Sequence, residues 1–230
     1  YYAFPKNHDL YLFDKQMPVE ECGNMLVMVA AALIADGNKK MAKDNWDLLT
    51  QWVQYLIKYG LMPGNQLCTD DFAGHLDKNI NLSVKAIVGI ESYAIIADKL
   101  GYADVGAQYH AKAKEYAKEW KKMCYKDSKT PLVFDDENDS FSLKYNMAFD
   151  VIFGSNLFDE EVRENEVDRY ISLNKFRSKN ADKRGKGETM VAFEEIEEAM
   201  DELYEITDDC CDDDYCDCCD DDCDCCDDAE

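Results

Sequence analysis

An all-α fold, a partial (α/α)6 toroid built of helical hairpins, is what this sequence predicts, on three observations. No stretch of useful length alternates apolar and polar residues as a half-buried strand must. Helical segments follow one another in the order buried, amphipathic, buried, amphipathic, buried, amphipathic. Gly, Pro and Asn fall between them, where turns are needed. Hairpins that pair a buried with a half-exposed helix imply an inner ring wrapped by an outer one. Alternate helices then run parallel, and every inner helix presents its N-terminal end on one face.

Tyr1 to Gln16 reads as an aromatic loop carrying His8 and Asp9. The first helix, about Val19 to Ala35, is apolar nearly all round and stops at Asp36-Gly37-Asn38. The second, about Lys39 to Tyr59, keeps Trp46, Leu49, Val53, Leu56 and Ile57 at helical spacing. Gly60 ends it, and Pro63-Gly64-Asn65 makes a turn. The third, about Asn81 to Leu100, is again apolar on most sides. The fourth, about Asp104 to Tyr125, is amphipathic through Tyr109, Ala113, Tyr116, Trp120 and Met123. After a polar loop come a short apolar segment, Asn146 to Phe153, and an amphipathic stretch of about Asp159 to Ser172. The pattern then fails: Arg177 to Gly187 reads as basic loop and Glu188 to Ile206 as an acidic helix. Residues 1–176 are therefore assigned to the toroid and 177–207 to a segment of uncertain affiliation. Residues 208–230 form a low-complexity tail. Only part of a six-hairpin ring fits in this length, so a fragment or processed form of a larger catalytic domain is expected.

Net charge is −24, which argues against nucleic acid or an anionic membrane surface as partner. Thirteen acids and no base lie in the tail, and without them 36 acids face 25 Lys plus Arg. The longest uncharged apolar run, Met25 to Ala35, is shorter than the roughly 20 residues of a membrane span. Eight of the eleven cysteines also fall in the tail. Thiolates and carboxylates are metal ligands, yet the spacing matches no paired CxxC motif, and such composition builds no core. A run that is not the gene's own sequence accounts for it better. No function is assigned to the tail, and no metal or cofactor to any part of the chain.

Three polar clusters stand directly before the apolar helices. The first is Met17 to Asn24, where Glu20 and Glu21 follow Pro18. Carboxylates in a first turn complement the helix dipole, which is the commoner role. Here they precede Cys22, Gly23 and Asn24 on a helix otherwise built for burial. The second, Asn65 to His75, holds Asp70 and Asp71, with His75 one turn beyond Asp71 if that segment is helical. A capped helix start would explain the acids equally well. Two carboxylate pairs at one mouth could supply a base for water and an acid for a leaving group. Cys22 and Cys68 occupy equivalent places in two clusters. They fit a disulfide of an exported protein, or a thiol activated by His75. The third cluster, Ser142 to Asn146, offers Lys144, Tyr145 and Asn146. These could polarise a carbonyl or hold a substrate carboxylate, or could line a solvated loop. His110 is placed on a helix surface outside the mouth.

At these clusters PVEECGNMLVMVAA, PGNQLCTDDFAGHLDKNINLSVKAIVGI, LKYN with MAFDVIFG, and NLFDEEV resemble the glutaminase A family of fungal and bacterial exported proteins. The resemblance runs over about residues 1–175 and stops there. It implies a six-hairpin α/α toroid, a secreted or periplasmic setting, and hydrolysis of L-glutamine to glutamate and ammonia. Carboxylates among Glu20, Glu21, Asp70 and Asp71, with His75, would carry the reaction. Asn24, Lys144, Tyr145 and Asn146 would bind substrate. The remaining part of the same polypeptide would be the macromolecular partner. Two rivals stand beside this. An inverting glycoside hydrolase would set two carboxylates about 6.5–9.5 Å apart around a water and use aromatics such as Tyr145 as platforms for a glycan. A structural or binding protein could keep the toroid and lack its chemistry.

Overall fold

The computed structural model describes residues 16–68, 75–136 and 140–182, with side chains through Lys175. Helix α1, Pro18–Asp36, begins with Pro at its first position and carries Glu20 and Glu21 in its first turn. Gly37 ends it in the left-handed conformation, φ 66°, its N–H donating to the Leu33 carbonyl at 3.2 Å. The expected second helix is divided into α2, Lys40–Asp44, and α3, Trp46–Tyr59. Asn45 interrupts it at φ −114° and ψ 16°, and its side-chain amide shares the Met41 carbonyl with its own backbone N–H, at 2.9 and 3.2 Å.

Helix α4, Ile80–Leu100, is capped by Asn79, whose Oδ1 accepts the Leu82 N–H at 2.7 Å. Helix α5, Ala103–Cys124, buries Tyr109, Ala113, Ala117, Trp120 and Cys124. The short third inner segment is a 3-10 turn, Tyr145–Met147, followed directly by α6, Ala148–Ile152. Helix α7, Glu160–Asp182, runs past the expected end near Ser172 and through part of the segment read as basic loop. No Gly or Pro interrupts that stretch before Gly185, and Arg, Lys, Asn and Ala carry a helix without an apolar face. The chain divides into compact units at Phe176 and Arg177. Of the second, backbone through Asp182 is described; the acidic helix and the tail expected beyond lie outside the described residues.

Contacts fix the helix directions. Glu20 meets Lys85 and Gly23 meets Gly89, so α1 and α4 run parallel. Thr50 meets Tyr93 and Leu56 meets Gly89, so α3 runs antiparallel to α4. Trp120 donates to the Ile80 carbonyl and His110 reaches Glu91, so α5 is antiparallel too. Two parallel inner helices backed by antiparallel outer ones are the expected arc of hairpins. A Cβ on Gly89 would lie 3.1 Å from Gly23 Cα and 2.7 Å from Leu56 Cδ1, so small residues set how closely α1, α3 and α4 approach.

Position in the arc decides burial. Among the described residues α1 and α4 are each long and apolar enough to cross a bilayer by length and composition alone. Helix α4 is instead buried along nearly its whole length. Helix α1 leaves Met25 and Met28 exposed along one flank and Ile34 near its end, and α6 leaves Val151 and Ile152.

Candidate functional site

The first turn of α1 has no side-chain cap from Met17, and the second cluster supplies one. Gln66 Oε1 accepts the Val19 N–H at 3.0 Å. Gln66 is itself held by a two-way backbone pairing with Leu76 at 3.2 and 3.3 Å. The segment carrying Asp70 and Asp71 is therefore rooted, through Gln66 and Leu76, beside α1. Asp70 and Asp71 themselves lie outside the described residues. His75, next to Leu76, is exposed and not helical.

Glu20 and Glu21 part company. Glu21 is exposed, whereas Glu20 is 2% exposed. A buried carboxylate needs a counter-charge. Lys85, on the second turn of α4 and 3% exposed, provides it at 3.6 Å. The Asn24 amide lies between them: its Oδ1 accepts from Lys85 Nζ at 2.5 Å and its Nδ2 donates to Glu20 Oε1 at 3.5 Å. Burial pushes the Lys85 ammonium below the usual lysine range, and the charge and hydrogen bond of Glu20 oppose that. The rings of Tyr145 and Phe149 close the group, with centroids 5.9 and 5.2 Å from Lys85 Nζ. Glu20, Asn24 and Tyr145, from two sequence clusters, thus come together around a cation.

Lys144 faces elsewhere. Its side chain is 1% exposed, donates to the Ser142 carbonyl at 2.7 Å and pairs with Glu166 of α7 at 3.7 Å. Glu166 also accepts from Thr130 Oγ1 at 2.5 Å. The cation expected beside the acids is therefore Lys85, and Lys144 fastens the third cluster to α7. Asn146 is fully buried and donates to both the backbone carbonyl and Oδ1 of Asn81, at 3.1 and 3.2 Å, tying that cluster to the start of α4.

The expected Cys22–Cys68 disulfide is not formed; both are thiols, and no bridge exists among the described residues. The two sulfurs face different neighbours. Asn79 Nδ2 lies 3.8 Å from Cys68 Sγ, and Cys22 packs against the hydrophobic core. Burial, reinforced by the charge of Glu21, pushes the Cys22 thiol up to about 11, so it stays protonated near neutrality and is a poor nucleophile.

A family model, the glutaminase A six helical-hairpin domain, matches residues 3–197. The chain belongs to this family. The match continues past Lys175, where the motif-based resemblance stops. Glutaminase A of Aspergillus oryzae (strain ATCC 42149 / RIB 40) is 32% identical over 152 residues, 65% of this chain and 22% of that protein. A protein named probable glutaminase from Arthroderma benhamiae (strain ATCC MYA-4681 / CBS 112371) is 31% identical over 115 residues, 50% of this chain and 13% of its own. The chain therefore spans a minor part of each relative's length.

Much of what the glutaminase A motifs encode is architecture. In MAFDVIFG the buried Asp150 accepts the N–H groups of Leu157 and Phe158 at 2.8 and 3.2 Å and the Arg163 guanidinium at 3.1 Å. It fastens NLFDEEV and α7 to α6. Lys85 and Gln66 escaped the sequence reading although both lie within the longest motif. The signal for Lys85 was present: a lone cation in INLSVKAIVGI, a run otherwise without charge.

Proposed function

We propose that this domain takes part in hydrolysis of the side-chain amide of L-glutamine to glutamate and ammonia, with Glu20 as the carboxylate that activates water. The observation that carries the proposal is the buried group of Glu20, Asn24, Lys85 and Tyr145 at the start of an inner helix, in a chain similar to proteins named glutaminase. A carboxylate there can take a proton from water as the oxygen attacks the amide carbon. The carbon–nitrogen bond then breaks, and the departing nitrogen takes a proton as ammonia. Asp70, Asp71 or His75 would supply that proton from the segment rooted through Gln66 and Leu76. The exposed flank of α1 is where the remaining hairpins of the same polypeptide would dock. Export no longer has a Cys22–Cys68 bridge in its support.

The test is ammonia release from L-glutamine by the purified protein and its Glu20→Gln variant. Loss of the base lowers turnover about 10²–10⁴-fold with little change in fold. Undiminished turnover in Glu20→Gln, or release of reducing sugar from glycans in place of ammonia, overturns the proposal.

A further inference from the structure

Lys85 reaches Glu20 by an unusual route. Its stem crosses α1 directly over Gly23; a Cβ at that position would lie 2.6 Å from Lys85 Cγ and 2.9 Å from Cδ. Only a residue without a side chain leaves this passage open. Beyond it the ammonium meets Asn24 and Glu20, one turn further toward the helix start, and the two rings of Tyr145 and Phe149. The ammonium is thus surrounded by an amide oxygen, a carboxylate and two aromatic faces.

We propose that Lys85 is a positioning residue for Glu20: threaded over Gly23, its ammonium and the Asn24 amide clamp the carboxylate in one orientation. This rests on the reading of Glu20 as the group that activates water. The Asn24 amide suits the task because its oxygen faces the ammonium and its nitrogen the carboxylate. Among the described residues, the titratable groups around the ammonium are Glu20 from α1 and Tyr145 from the 3-10 turn.

The experiment has two arms on the full chain. In the first, the ammonium of Lys85 is followed by nitrogen-15 NMR of lysine-labelled protein, with Lys85→Arg identifying the signal. A clamped ammonium exchanges its protons slowly. The signal is expected to shift or vanish in Glu20→Gln and in Gly23→Ala, where the added methyl displaces the stem and keeps the charge. The second arm measures glutamine turnover in Lys85→Met, Gly23→Ala and the double variant Glu20→Gln/Lys85→Met, which leaves no buried charge unpaired. Lys85→Met is expected to lower kcat about 100-fold with KM nearly unchanged. Gly23→Ala is expected to fall in between, and the double variant to regain stability without regaining activity. A Lys85 signal indifferent to both Glu20→Gln and Gly23→Ala overturns the clamp, as does an unaltered kcat in Lys85→Met. A coupled signal in a protein inert toward glutamine upholds the clamp and defeats the glutaminase reading instead.

Discussion

His110 shows how much one side chain can bind together. Its Nδ1 lies 2.9 Å from Glu91 Oε1 and its Nε2 2.9 Å from Asp98 Oδ2, so the ring must carry both protons to donate to both carboxylates. Burial by itself lowers its proton affinity. The hydrogen bonds and charges of Asp98 and Glu91 together outweigh that and raise it above the ordinary histidine value. A raised folded-state value contributes stability that is complete below the unfolded value near 6.5 and is lost as pH climbs through the folded one. Glu91 is buried and its Oε2 has no hydrogen-bond partner in the structure, which makes the cation matter more. His110→Gln should therefore cost about 1–2 kcal/mol at pH 5.5, a figure discounted for the half-exposed Asp98, and much less at pH 9. Urea unfolding at both values checks this, and a pH-independent difference would remove the ion pair as its cause. Sequence reading placed His110 on a surface because helical spacing shows which way a residue points along its own helix. It does not show which neighbour carries Glu91 opposite. Lys85 was hidden for the same reason.

Elements with an apolar stripe were legible: the boundaries of α1, α4 and α5 fall within a residue or two of those read from spacing. Periodicity failed where another force sets the boundary. Asn45 divides one expected helix through a local backbone conformation that spacing cannot register. Helix α7 continues on propensity after its apolar stripe has ended. The short apolar segment read at Asn146 to Phe153 is there, as a 3-10 turn and α6. Gly154, in the left-handed conformation at φ 64°, follows it closely, and much of that apolar surface is still uncovered. What holds this short element is Asp150, a carboxylate on two backbone N–H groups and one guanidinium. Asp150→Ala should destabilise the domain by about 3–5 kcal/mol, because it strands the partly buried Arg163 and two backbone donors. Asp150→Asn keeps one acceptor and should cost less. Denaturant midpoints of the two variants decide it, and equal losses would argue against the carboxylate as the fastener.

At the scale of the molecule, the prediction of parallel inner helices with a shared mouth was drawn from the order of segments, and α1 and α4 do share a direction. The mouth was legible only in part. Which acid sits in it depends on burial, which separates Glu20 from Glu21 although they are adjacent in sequence. The open flank of α1 has a measurable cost in solution. Met28 is 60% exposed, with Met25 three residues before it on the same face of the helix. Contiguous apolar surface of this kind promotes association. Met28→Glu should weaken concentration-dependent self-association in sedimentation or gel filtration while changing stability by no more than about 0.5 kcal/mol. Association that persists undiminished would place the sticky surface elsewhere. The Gln66 cap on α1 bears on the order in which the chain assembles. Its partner is 47 residues away, so the first turn of α1 cannot be completed while α1 stands alone. The helix must wait for a long loop to close, a slow and entropically costly event. Glu20 is thus set in place only after the hairpin beyond it has come home, and a half-folded chain would hold no ordered carboxylate to act on anything.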